Sequence, residues 1–92
     1  MMKAQVRDDS DPVVLQVCGR IAESWAAELR RYWYAAKADH PGRPFSVDLR
    51  WVTFIDPSGE ELLREMHRDG ATFQAAGLLI QEVVNQITGG SK

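Results

Sequence analysis

Few side chains in this sequence could do chemistry, and the best placed is Ser58. It lies in FIDPSGEELL, residues 54–63, where an apolar run meets a charged one through Asp56, Pro57, Ser58 and Gly59. Three roles suit a hydroxyl at such a junction: capping a helix, accepting a phosphate, or attacking as a nucleophile. A nucleophile needs a base within hydrogen-bond reach. His67, nine residues on, would sit about 13 Å further along a helix and about half a turn around it, so it cannot serve Ser58 there. His40 lies in a loop flanked by proline and glycine, and nothing in its spacing brings it to the serine. Cys18 is the single cysteine, expected as a small buried hydrophobe, and no Cys/His cluster has metal-ligand spacing. The chain is therefore expected to be non-enzymatic and to use no metal or other cofactor.

The junction itself reads as the start of a helix. Proline suits the first helical position and disfavours helical geometry in the residue before it, which makes Asp56 an N-cap. Alternatively Ser58 is the cap, with Glu61 completing a capping box. Either way the hydroxyl lies among the free N–H groups and positive dipole end of the helix, where Gly59 is expected to leave the approach open and a phosphate to be tolerated.

Ninety-two residues suit one domain, expected to span 1–92 with an ordered core over about 3–88 and a flexible tail at 89–92. The hydrophobic fraction, 45%, is that of an ordinary globular chain. A formal charge of −2 supplies no global field to gather nucleic acid or acidic membrane. The N-terminus lacks the apolar core of a signal peptide, and no apolar run is long enough to span a bilayer. A cytoplasmic protein is expected, a monomer or weak homodimer, with no nucleic-acid partner and no direct membrane insertion.

Stepping along the chain, residues 3–7 and 13–18 alternate weakly around the turn formers DDSDP and read as a hairpin ending before Gly19. Trp25, Leu29, Tyr32, Trp33 and Ala36 form a helical stripe that ends near Asp39, leaving Arg30, Tyr34 and Lys37 on a solvated outer face. Phe45, Val47 and Leu49 alternate with Ser46, Asp48 and Arg50, a strand with one buried and one wetter face. Trp51 follows, expected beyond the strand, either packed in a loop or exposed as a partner anchor. A second helix carries Leu62, Leu63 and Met66 to about Asp69, with Glu60, Glu61, Arg64, Glu65 and Arg68 as a face of both signs. A short strand holds Ala71, Phe73 and Ala75, and a third helix Leu79, Val83 and Ile87, with Ile80 and Val84 beside them. The order ββαβαβα predicts an α/β fold: a mixed four-stranded sheet with its helices mainly on one face.

With GRIAESWAAEL, FSVDLRWVTFIDPSGEELL and DGATFQAAG in this order, the chain resembles the STAS domain, the family of anti-sigma-factor antagonists and of the cytoplasmic tails of sulfate transporters. The resemblance covers roughly residues 10–88. It implies a sheet opening with a hairpin, helices after the strands, and a bacterial signalling module that binds an anti-sigma factor or kinase. In the family's antagonists the turn reads Asp-Ser-Ser/Thr-Gly, and the serine after the aspartate takes a phosphate from the partner kinase. Asp56, Ser58 and Gly59 match that turn, but Pro57 occupies the phosphoacceptor position. Family members often continue into a further strand and helix, so a minimal version is expected here.

The expected partner-binding residues are Asp56, Pro57, Ser58, Gly59, Trp51 and Leu62, with Ser58 a possible phosphorylation site. Two alternatives share the fold: a small cytoplasmic STAS subunit of a lipid-transport assembly, and a sensor that holds an anion or nucleotide at the helix N-terminus. A polar pocket behind Asp56 and Ser58 would favour the sensor, and a shallow surface with an exposed Trp51 the protein partner.

Overall fold

The computed structural model describes residues 2–9 and 11–89; Ser10 of the expected turn and residues 90–92 of the expected tail lie outside the described residues. The elements follow the expected order: β1 (Met2–Arg7), β2 (Val13–Ile21), α1 (Ser24–Asp39), β3 (Phe45–Ile55), α2 (Pro57–Arg68), β4 (Thr72–Gln74) and α3 (Leu78–Thr88). They make one sheet in the order β1-β2-β3-β4, with β1 antiparallel to β2 and the remaining pairs parallel.

Side chains in register across a sheet share a face, so the pairing sorts the residues. Val6, Leu15, Val47 and Phe73 fall in one row of the inner face, and Ala4 pairs with Val17 beside it. Onto these pack Ala26, Leu29, Trp33 and Ala36 of α1, Leu62, Leu63 and Met66 of α2, and Ile80 and Ile87 of α3, in a single apolar cluster. Trp33 meets Phe45 edge to face at 5.2 Å between ring centroids, a geometry that favours aromatic pairs beyond their burial. The three helices thus lie on the inner face, and the outer face carries the alternate residues.

Both central strands run further than their alternation predicts. β2 continues through Gly19 to Ile21, and β3 continues past Arg50 to Ile55, so Trp51 lies inside the strand rather than beyond it. The reason is two bulges: β3 has an extra residue between Asp48 and Trp51 and another between Val52 and Phe54. Each bulge resets which residues face inward and hides the continuous strand behind a broken pattern. Gly19, at φ 97, takes a conformation that suits glycine beside the second bulge, so a residue that reads as a terminator is a bend within the strand.

Other expectations fail by a small rotation or by unforeseen neighbours. Trp25 and Tyr32 are exposed and Ala26 is buried, because α1 turns the line Ala26, Leu29, Trp33 and Ala36 inward, where its alanines allow close approach to the sheet. Leu79 is likewise exposed while Ile80 and Ile87 are buried. Arg30 and Tyr34 bond Glu65, and Lys37 bonds Asp69, so the face expected to be solvated is the seam between α1 and α2. Ser46 and Asp48 are not on a wet face: each is only 3% exposed. Gln74 donates to Ser46 Oγ, while Arg50 grips both carboxylate oxygens of Asp48 at 3.0 and 2.9 Å, so the outer face closes over these polar groups and satisfies them. Cys18 is half-buried on that same face.

Candidate functional site

The turn at residues 56–59 is organised by one carboxylate. Asp56 is the N-cap of α2, with extended backbone, and Pro57 is the first helical residue. Its Oδ1 accepts the Gly59 N–H at 2.8 Å, and its Oδ2 accepts the Glu23 N–H at 2.9 Å. Its own N–H donates to the carbonyl of Ile21 at 3.0 Å. Asp56 therefore ties together the end of β2, the entrance to α1 and the start of α2. The Gly59 N–H first, then that of Glu23, holds its carboxyl below the usual range, because donated hydrogen bonds favour the charged form. Glu23 sits at φ 54, an uncommon conformation for a side chain other than glycine, with its N–H aimed at Asp56.

These contacts decide between the two capping schemes. Asp56 is the cap; the hydroxyl of Ser58 makes no hydrogen bond among the described residues and is exposed in the first turn. Gly59 does not leave an open approach, as expected, but is buried. A Cβ there would lie 2.8 Å from both the Cγ2 and the carbonyl oxygen of Ile21 and 2.9 Å from Ile55 Cγ2. Glycine is needed because the first turn of α2 rests directly on the ends of β2 and β3. Leu62 is fully buried and belongs to the core rather than to a contact surface. Pro57 and Ser58 are exposed, and Trp51 is 59% exposed on β3.

The structure brings Asp56, Pro57, Ser58 and Gly59 together in one rigid corner. Trp51 does not join them directly. It stands five residues before Asp56, about 13 Å along the strand because the second bulge takes up one of them, and is paired with Cys18 on the outer face. Sequence reasoning missed Glu23 and Ile21, which act through backbone groups and so leave no signal in residue type. It also missed Phe54, whose outward orientation depends on the second bulge.

The surroundings limit what the corner can do chemically. His40 is held elsewhere, its Nε2 2.9 Å from Asp8 and its Nδ1 3.0 Å from the Ala36 carbonyl, while the His67 ring lies beside Phe73. Neither is hydrogen-bonded to Ser58. Among the described residues no group of three His, Cys, Asp or Glu side chains is arranged to hold a metal ion. Among the described residues no helix is long and apolar enough to cross a membrane. Two surface hollows of about 440 and 460 Å³ lie by Met2, Trp25 and Tyr32 and by Lys37, His40 and Arg43; neither is lined by the turn. The anion at the α2 N-terminus is the chain's own Asp56 carboxylate.

Solved structures share this architecture. An anti-sigma factor antagonist from Mycobacterium paratuberculosis is 24% identical with a TM-score of 0.83, over 99% of this chain and 80% of that one. The anti-sigma factor antagonist SpoIIAA, in its unphosphorylated form, is 16% identical with a TM-score of 0.68, over 88% of this chain and 80% of that one. A third structure, of Mglu, is 24% identical with a TM-score of 0.56, over 80% of this chain and 19% of that one. No protein-family model and no curated protein sequence matches the chain. The fold is that of the anti-sigma factor antagonists, a STAS-like domain with a mixed four-stranded sheet and three helices.

Proposed function

We propose that this chain is a non-enzymatic interaction module of the anti-sigma factor antagonist kind, which docks a protein partner on the corner formed by Asp56, Pro57 and Ser58 and on the exposed side of α2. The observation that carries this reading is the double grip of Asp56. By fixing Gly59 and Glu23 at once, it presents Pro57 and Ser58 to solvent as a preformed shape, and a preformed surface loses little entropy on binding. Glu61 and Arg64 stand exposed on the adjoining helix and supply charges of both signs for partner choice. An anti-sigma factor or kinase is the partner that the fold favours, in a cytoplasmic bacterial circuit.

The same geometry speaks against a phosphate-driven switch at this corner. Pro57 stands where the family's turn carries its phosphate and has no hydroxyl to accept one, and Ser58 is displaced by one residue from that position. The module therefore binds its partner constitutively. The test uses the wild type and three variants as bait in extracts of the native cell, each incubated with ATP and the captured partner. Wild type and Ser58→Ala should capture the same anti-sigma protein and stay unlabelled, Ser58→Asp should lose it, and Pro57→Ser should accept phosphate. Labelling of Ser58 in the wild type would overturn the constitutive reading; capture that Ser58→Asp does not weaken would remove the corner from the interface.

A further inference from the structure

Among the described residues no helix covers the outer face of the sheet, and its charge differs from that of the rest of the chain. The register sets Lys3, Cys18 and Trp51 in one row across β1, β2 and β3, and Arg7, Val14 and Ser46 in another. Arg20 and Phe54 are paired beyond them, the guanidinium carbon 4.8 Å from the ring centroid. Lys3, Arg7, Arg20 and Arg50 are all exposed; among the described residues the carboxylates beside them are Asp48, which is buried and gripped by Arg50, and Glu28 of α1, which lines one hollow with Lys3. Among the described residues Lys3, Arg7 and Arg20 form no salt bridge. The chain as a whole carries −2, so this face is electropositive against an acidic remainder.

Two aromatic rings stand among these cations, Trp51 at 59% and Phe54 at 39% exposure, both on the central strand β3. Because of the bulge at Thr53, the step from Trp51 to Phe54 matches the two-residue step from Cys18 to Arg20, about 7 Å, a distance an extended polynucleotide spans with one nucleotide. Gln5 and Gln16, opposite each other in register, add amide donors and acceptors to the surface. Exposed rings that stack on bases, flanked by cations that track phosphates, are how sheets hold unpaired strands. A bilayer fits less well, because lipid would strand the amides of Gln5 and Gln16, which stand in the row beside Trp51.

We propose that this face binds single-stranded nucleic acid, with Trp51 and Phe54 stacking bases and Lys3, Arg7 and Arg20 holding phosphates. The cations are scattered through the sequence, which is why net charge conceals the site; the RRYWYAAK segment that does cluster cations with aromatics is occupied by Glu65 and Asp69 instead. The inference is independent of the partner assigned to the Asp56 corner.

The test is anisotropy of a fluorescein-labelled oligouridylate of about 12 nucleotides, within the span such sites cover, at low and at near-physiological salt. The protein should bind, and its affinity should fall with salt by a log–log slope of about −0.7 for each phosphate contacted. In a Trp25→Phe background, which leaves affinity unchanged, binding should quench the remaining exposed tryptophan. Trp51→Ala should weaken binding by roughly five- to a hundredfold, Trp51→Phe by much less, and Arg20→Ala should make the slope shallower by about 0.7. Phe54→Ala repeats the stacking test should Trp51→Ala fail to fold. Absence of binding at low salt, or equal affinity for Trp51→Ala, would overturn the proposal. So would Trp51-dependent binding to phosphatidylserine vesicles or polyglutamate in a protein that ignores the oligonucleotide.

Discussion

Gly59 and His40 show how single residues tie this fold together. A methyl group at residue 59 would strike the Ile21 carbonyl, a backbone atom that cannot swing aside. Gly59→Ala should therefore cost about 1–3 kcal/mol, the usual range for overpacking, read as a lower urea midpoint with an unchanged slope. His40 bonds two acceptors, so its imidazole is held in the charged form: the Asp8 carboxylate first, then the Ala36 carbonyl, raise its pKa above the ordinary 6.5. Its stabilising effect is complete below 6.5 and is lost as pH climbs through the raised value in the folded state. The hydrogen bond to His40 lowers the Asp8 pKa below 3.8, so that residue's contribution is present above 3.8 and disappears as acid carries pH through its folded value. The urea midpoint should fall on the alkaline side of 6.5, and His40→Gln should flatten that limb.

Among the elements, α1 and α2 meet through a line of charge rather than through apolar contact alone. Arg30 and Tyr34 reach Glu65, and Lys37 reaches Asp69 at 2.7 Å, with Trp33 Nε1 donating to the same Asp69 oxygen at 3.3 Å. The Lys37 and Asp69 side chains are each about a third exposed, so water and salt screen them. A double-mutant cycle with Lys37→Ala and Asp69→Ala should give a coupling below about 1 kcal/mol that shrinks as salt rises. This seam was not legible in the sequence, because Arg30, Tyr34 and Lys37 are polar and nothing in their spacing names a partner in another helix. The helices and their order were legible, since their apolar spacing and their Pro and Gly boundaries are local. The inward stripe of α1 was misjudged because Trp25 and Tyr32 outweigh Ala26 in hydrophobicity, yet the small residue is the one that fits against the sheet. At the candidate site, proline chemistry offered Asp56 as one of two caps and the structure chose it, whereas the crowding at Gly59 depends on Ile21 and Ile55, which only the fold brings near.

At the scale of the whole molecule, one apolar cluster draws on both central strands, the β1 edge and all three helices, with Phe73 of β4 packed against it. No element keeps a separate core, so heat or urea should unfold the chain in a single transition. In a Trp25→Phe, Trp51→Phe background, which leaves buried Trp33 as the emitter, far-UV circular dichroism and tryptophan fluorescence should give coincident midpoints; separated midpoints would mean that some element unfolds independently. The polar residues of the outer face are joined to the same unit, since Asp48 and Ser46 sit on the strand whose inner neighbours Val47 and Leu49 are fully buried. Thr53 is the surplus residue of the second bulge, with Trp51 and Phe54 outward and Val52 and Ile55 inward on either side of it. Omitting it would straighten the strand without exchanging its faces. Chains of this shape that differ by one residue in length at that point can present the same surface, and aligning them by counting alone would set the wrong side chains against each other.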